Sequence, residues 1–326
     1  MNLAFKSCGG IVMKIKTTAR LALDILGVLL VFACGATAGR GQAFVSAKNG
    51  VDVGSCPVTA PCRTITYSLT QAGAGGTVNL VDSGNYEPFF VNKSVTVQAA
   101  PGIAAVITRN TPGFGVSVET DGVEFVTIRG LILNLPDNLL SGFPPPPSPG
   151  FKLVGGGTIV IERCIVRGFT VGIDASMVGS LYIRDTNISG GTTGMNLSSN
   201  YLTLRVTIER CQTRGGTALN ATTVPSAMIR LSVSDSLFSG GSAGINVAPD
   251  ATGFASVTLE HCEVSNSKYG IQAAGAGVAV RVSNSTIIEN GMGLTATGGA
   301  ALLSRGNNTV EANQINSDFT GTYSAK

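Results

Sequence analysis

Six side chains in the second half of the chain recur at one position of a repeating block and carry groups able to bind or react: Asp174, Asn196, Asn220, Asn246, Gln272 and Thr295. Each stands between two apolar residues, as in Ile173/Ala175, Met195/Leu197, Leu219/Ala221, Ile245/Val247, Ile271/Ala273 and Leu294/Ala296. A period of two sends such a pair to one face of a strand and the residue between them to the other. The result is a polar ladder with amides at four consecutive steps and a single carboxylate at one end. Side-chain amides offer paired donors and acceptors to the hydroxyls of an extended glycan. The same amides at strand spacing hydrogen-bond one another and stabilise a stack with no ligand at all. Hydrolysis of a glycosidic bond takes two carboxyls about 5 to 9.5 Å apart, and Asp174 has no acidic neighbour in its column.

The elements that hold this ladder are written six times between residues 157 and 298, as TIVIERCIV, LYIRDTNI, VTIERCQT, LSVSDSLF, VTLEHCEV and VRVSNSTI, each followed by a Gly-rich step and a short apolar pair. Their central column is Cys164, Thr186, Cys211, Ser236, Cys262 and Ser285, at intervals of 22, 25, 25, 26 and 23 residues. Three apolar pairs recur per block, for example Ile159/Ile161, Cys164/Val166 and Ile173/Ala175. Three strands per rung with a repeat in the low to mid twenties describe a parallel β-helix, here of about nine or ten rungs. A leucine-rich repeat needs spaced leucines and an Asn that these blocks lack. A membrane β-barrel needs strands of about ten alternating residues with aromatic girdles, and these runs are half that length.

Composition agrees with an all-β chain: 43 glycines, 13% charged residues and no Trp, with Val, Ile and Thr in short runs. At the start, Lys14, Lys16 and Arg20 precede the apolar run Ile25 to Cys34, and Ala36-Thr37-Ala38 offers small residues for cleavage. Residues 1–38 therefore read as an export signal, with Met13 an alternative initiator, and the run is too short to span a bilayer. Lipidation at Cys34 is the rival, opposed by the shape of Phe32. Residues 39–76 hold a first strand at Phe44-Val45-Ser46, a short loop between Cys56 and Cys62 suited to a disulfide in an oxidising compartment, and a capping helix with Ile65, Leu69 and Ala72 on one face. The β-helix spans 77–310, interrupted by a Pro-rich insertion at 134–150 that returns at Phe151 and Leu153. The last rung fades at Leu303, Asn308 and Val310, and 311–326 form a polar tail. A net charge of +3, scattered along the chain, gives no basis for a nucleic-acid or membrane-surface partner.

Two other columns carry polar chemistry. Glu162, Arg184, Glu209, Ser234 and Glu260, then Arg163, Asp185, Arg210, Asp235 and His261, alternate in sign from rung to rung, which favours the correct stacking register. Glu260-His261-Cys262 makes a poor metal site, because three adjacent residues rarely converge on one ion. No metal or cofactor is expected. The cysteines of the central column sit on alternate rungs, roughly 10 Å apart, beyond disulfide reach, and are expected to be free, buried apolar filler.

The three-strand rung, the stretch from Phe44-Val45-Ser46 to Pro61-Cys62-Arg63-Thr64-Ile65 and the ending Gly306-Asn307-Asn308-Thr309-Val310 resemble right-handed parallel β-helix proteins of the pectin-lyase-like superfamily, more narrowly an exported bacterial branch of it. The resemblance implies that a substrate would lie along the outer face of the sheet bearing Asp174 to Thr295. It also implies motifs that are missing: the paired aspartates, Gly-His-Gly and Arg-Ile-Lys of polygalacturonases, and the aspartate cluster and Trp of pectate lyases. The expectation is an exported, non-catalytic binding or structural module whose partner is a polysaccharide or cell-surface glycan. The alternative is a polysaccharide lyase or glycoside hydrolase of another type, with Asp174 its one well-placed acid.

Overall fold

The structure is a computed structural model that describes residues 4–6, 12–14, 41–108, 113–136, 148–176, 178–200, 203–250 and 252–324. The chain divides into two units, 1–39 and 40–326. In the first, strands Ala4–Lys6 and Val12–Lys14 pair antiparallel, with Phe5 opposite Met13. The apolar run and the Ala36-Thr37-Ala38 step of the expected export signal lie outside the described residues.

The second unit is an all-β parallel solenoid. Period-two alternation gives each rung three strands, and the strands of successive rungs stack in register into three sheets. The short sheet holds ten strands, from Gly84–Tyr86 to Thr309–Glu311. The ladder sheet contains Val171–Ser176, Thr193–Ser199, Thr217–Thr223, Ala243–Val247, Tyr269–Ala274 and Met292–Thr297. The third, called the long sheet, contains Ser180–Arg184, Thr203–Glu209, Met228–Ser234, Phe254–Glu260, Val278–Ser283 and Ala301–Ser304. Inward residues of all three form one continuous core from Ala43 to Leu302.

Corners decide where side chains point. Between the long and short sheets the chain turns on one left-handed residue per rung: Arg163, Asp185, Arg210, Asp235, His261 and Asn284, with φ of 48–51°. Asp, Asn and His tolerate this region better than other side chains do, and each of the two arginines there donates its backbone N–H to the next rung, Arg163 N to Arg184 O and Arg210 N to Ser234 O. Between the short and ladder sheets the chain passes so close to the core that most rungs place glycine there, Ala218 being an exception. A Cβ on Gly194 would lie 2.1 Å from Thr213 Cγ2, and one on Gly172 2.3 Å from Ile188 Cγ2. Two strands, Val116–Arg129 and Pro149–Glu162, run from the ladder sheet into the long sheet without a break.

The Pro-rich insertion leaves after Leu131–Asn134 and Leu135, and the chain resumes at Pro149, with Phe151 and Leu153 buried. The centre of the insertion, 137–147, lies outside the described residues. At the N-terminal end the helix Ile65–Ala72 buries Ile65, Ser68, Leu69 and Ala72. Thr64 caps it by accepting from Tyr67 N, and Glu87 Oε1 accepts from Ile65 N at 2.7 Å, satisfying orphan N–H groups of the first turn. A disulfide joins Cys56 and Cys62 beside it.

The C-terminal end corrects one expectation. Leu302, opposite Val280, is the inward residue of the last long-sheet strand, and Leu303 faces outward opposite Arg281. Ala296, expected to point into the core with Leu294, is exposed, because the ladder sheet ends at its strand. The tail crosses this end: Ile315 bridges to Met292, and Gly321–Thr322 pairs with Leu303 and Ser304.

Candidate functional site

The register brings the sequence-derived ladder into a single file. Asp174 lies opposite Asn196, Asn196 opposite Asn220, Asn220 opposite Asn246, Asn246 opposite Gln272 and Gln272 opposite Thr295. All six are half-buried, and their flanking apolar pairs are turned inward except at Thr295, where Leu294 is buried and Ala296 is exposed. Four are joined by hydrogen bonds running one way. Asn246 Nδ2 donates to Asn220 Oδ1 at 2.8 Å, Asn220 Nδ2 to Asn196 Oδ1 at 2.9 Å, and Asn196 Nδ2 to Asp174 Oδ1 at 2.8 Å. Asn196 and Asn220 thus each spend one N–H and one oxygen lone pair on the stack and keep one of each. Gln272 and Thr295 share the column without joining this chain of bonds among the described residues.

The column continues past Asp174 in a direction that the sequence reading missed. Lys152 lies opposite Asp174, Ser117 opposite Lys152, and Phe90 opposite Ser117. Lys152 Nζ meets Glu119 Oε1 at 2.8 Å, and Ser117 Oγ donates to the same oxygen at 3.1 Å. The hydrogen bond from Lys152 outweighs desolvation and, with that from Ser117, holds the Glu119 carboxyl below its ordinary range. The signal was present, since Lys152 stands between Phe151 and Leu153 just as Asp174 stands between Ile173 and Ala175. The Pro-rich insertion separated it from the recognisable blocks.

The other polar columns serve the stack. Glu162 reaches Arg129 at 2.6 Å and Arg184 at 3.3 Å, and Arg210 reaches Asp185 at 2.7 Å across one rung and its own neighbour Glu209. Glu260 and His261 lie side by side, Nδ1 to Oε1 at 3.6 Å, with His261 exposed, but Cys262 turns away into the core with its Sγ on Glu260 O. Among the described residues no three His, Cys, Asp or Glu side chains converge as a metal site would need.

Cys164, Cys211 and Cys262 are free and buried, but apolar filler understates their part. Each thiol contacts the carbonyl two residues back, and the intervening hydroxyls do the same, as in Thr186 Oγ1 to Arg184 O and Ser236 Oγ to Ser234 O. Each hydroxyl also accepts the backbone N–H of the cysteine one rung earlier, Cys211 N to Ser236 Oγ and Cys262 N to Ser285 Oγ, both at 3.0 Å. Burial pushes the Cys164 thiol up to about 12 and those of Cys211 and Cys262 up to about 11.

No protein-family model matches the chain, and no curated protein matches it by sequence. Among solved structures it is similar to the crystal structure of pectate lyase Pel9A, with a TM-score of 0.51 and 13% sequence identity over 84% of this chain and 79% of that one. At that identity the likeness concerns the fold alone, a parallel β-helix.

Proposed function

We propose that the protein is an exported β-helix module that binds an extended glycan along the outer face of the ladder sheet and performs no chemistry on it. The observation that carries this reading is the one-way bond chain from Asn246 to Asp174. It fixes the amide planes in place, so the spare N–H and lone pair of each inner amide stand preorganised at strand spacing, and a ligand pays little to order them. The one carboxylate of the ladder is already engaged by Asn196. Export rests on the signal-like residues 1–38, and a glycan partner fits the β-helix likeness to a pectate lyase.

The test is a glycan array followed by titration of the binders with the variant Asn196→Ala/Asn246→Ala. At least tenfold weaker binding is expected; unchanged affinity would overturn the ladder as the binding surface. A second reading, a polysaccharide lyase or hydrolase, draws on the placement of Lys152 beside Asp174 with Glu119 nearby. Lys152 is ion-paired, which opposes a role as a base. Incubation with a polysaccharide panel decides it: unsaturated or reducing products that vanish in Asp174→Asn would replace binding by catalysis.

A further inference from the structure

A second surface, on the outer face of the long sheet, is built differently. Its outward column reads Ser180, Arg205, Arg230, Ser256 on four consecutive rungs. The column beside it reads Tyr182, Thr207, Ser232, Thr258, a hydroxyl on every rung. All of these but Ser180 line a groove of about 670 Å³. Arg281 approaches from the far side, its Nη1 donating to Ser256 Oγ at 3.5 Å.

Arg205 and Arg230 stand directly opposite each other on adjacent strands, about 4.8 Å apart along the stack. Like charges so placed destabilise a sheet. Elsewhere the fold avoids this: Arg129, Arg184 and Arg210 each meet a carboxylate, and Arg167 and Arg214 on the short sheet are separated by Ser189. Neither Arg205 nor Arg230 has an acid within 4 Å among the described residues, and the Nε of Arg230 rests on the weak acceptor Met228 Sδ at 3.3 Å. Two exposed guanidiniums beside a file of hydroxyls are the donor set for a tetrahedral dianion. Guanidinium forks engage two oxygens each, hydroxyls supply the remaining donors, and the bound charge cancels the repulsion.

We infer that this groove is an oxyanion site, taking a sulfate or phosphate group between Arg205 and Arg230. The group is either a free ion or an ester on a larger molecule. Thermal unfolding of the full chain in sulfate, phosphate and chloride at matched ionic strength gives the first readout. Sulfate or phosphate is expected to raise the midpoint above that in chloride, and Arg205→Gln/Arg230→Gln is expected to shrink the increment to the general rise that these excluded anions give any folded chain. Both side chains are exposed, so the variant should fold, and in chloride it should melt no lower than the parent. Dextran sulfate against neutral dextran gives the second readout. Binding of dextran sulfate that falls at least tenfold in the double variant points to an ester on a polymer, whereas stabilisation by the inorganic ions alone points to a free ion. No anion-specific stabilisation and no dextran sulfate binding, or equal responses in parent and variant, would overturn the site. Asn196→Ala/Asn246→Ala should leave every one of these responses intact, which separates this surface from the ladder.

Discussion

Two files of polar side chains climb the same rungs, one turned into the core at the corner before the short sheet and one turned outward on the ladder sheet, and they are satisfied to different degrees. The inward file, Cys164, Thr186, Cys211, Ser236, Cys262 and Ser285, is at most 4% exposed, and its bonds end on backbone groups of the corners. Nothing is left over for a ligand, and water cannot replace a lost partner. The outward file, Asp174 to Asn246, also bonds along itself, yet keeps a donor and an acceptor per inner amide toward solvent. Periodicity alone makes the two look alike. Their unspent hydrogen-bonding capacity separates a structural column from one fitted to a partner.

The contrast breaks most sharply at Ser285. Ser285→Ala strands the buried N–H of Cys262 and should cost about 1–3 kcal/mol, read as a lower urea midpoint at unchanged slope. Asn220→Ala removes two ladder bonds, but solvent reaches the orphaned groups, so about 1 kcal/mol is expected. A loss at Asn220 as large as at Ser285 would erase the distinction. Cys211→Ser should cost less than about 1 kcal/mol, because a hydroxyl makes the same contacts as Ser236 does one rung on, whereas Cys211→Val removes a weak S–H donor to Glu209 O and should cost less than Ser285→Ala. The raised thiols should also resist iodoacetamide at pH 8 in the native state and react once unfolded.

The N-terminal end sharpens the same lesson with a carboxylate. Desolvation raises Asp82, but hydrogen bonds from Tyr86 and Ser46 and from the N–H groups of Ala47 and Lys48 outweigh it and lower its pKa to about 2. The unfolded value is about 3.9. Its contribution is therefore complete above about pH 4 and lost as pH falls from 4 toward 2. Asp82→Asn should flatten the acid limb of a stability-versus-pH curve.

The rung period, the three faces and the order of Asp174 to Thr295 could be read directly, because period-two alternation dictates which way a side chain points. Lys152 escaped because it follows an insertion of unrelated composition, although its apolar neighbours carry the same signal. Arg205 and Arg230 escaped for another reason: only alignment of whole rungs shows two residues 25 apart to be neighbours. The bonds of the thiol and hydroxyl file were illegible, since a buried Ser and a buried Cys obey the same pattern whether or not they accept an N–H from the rung before. Ala296 was misplaced because the ladder sheet ends at its strand, and alternation alone does not show where a stack stops.

The single direction of the amide bonds has a consequence for any molecule lying along them. Each amide is a dipole, and here they align head to tail, so the file acts like a short helix axis, with its positive end at Asp174 and its negative end at the Asn246 oxygen. The carboxylate sits at the positive end, where an acidic residue stabilises the start of a helix. A chain with unlike ends would then feel two different fields in its two orientations, and the surface would tell head from tail.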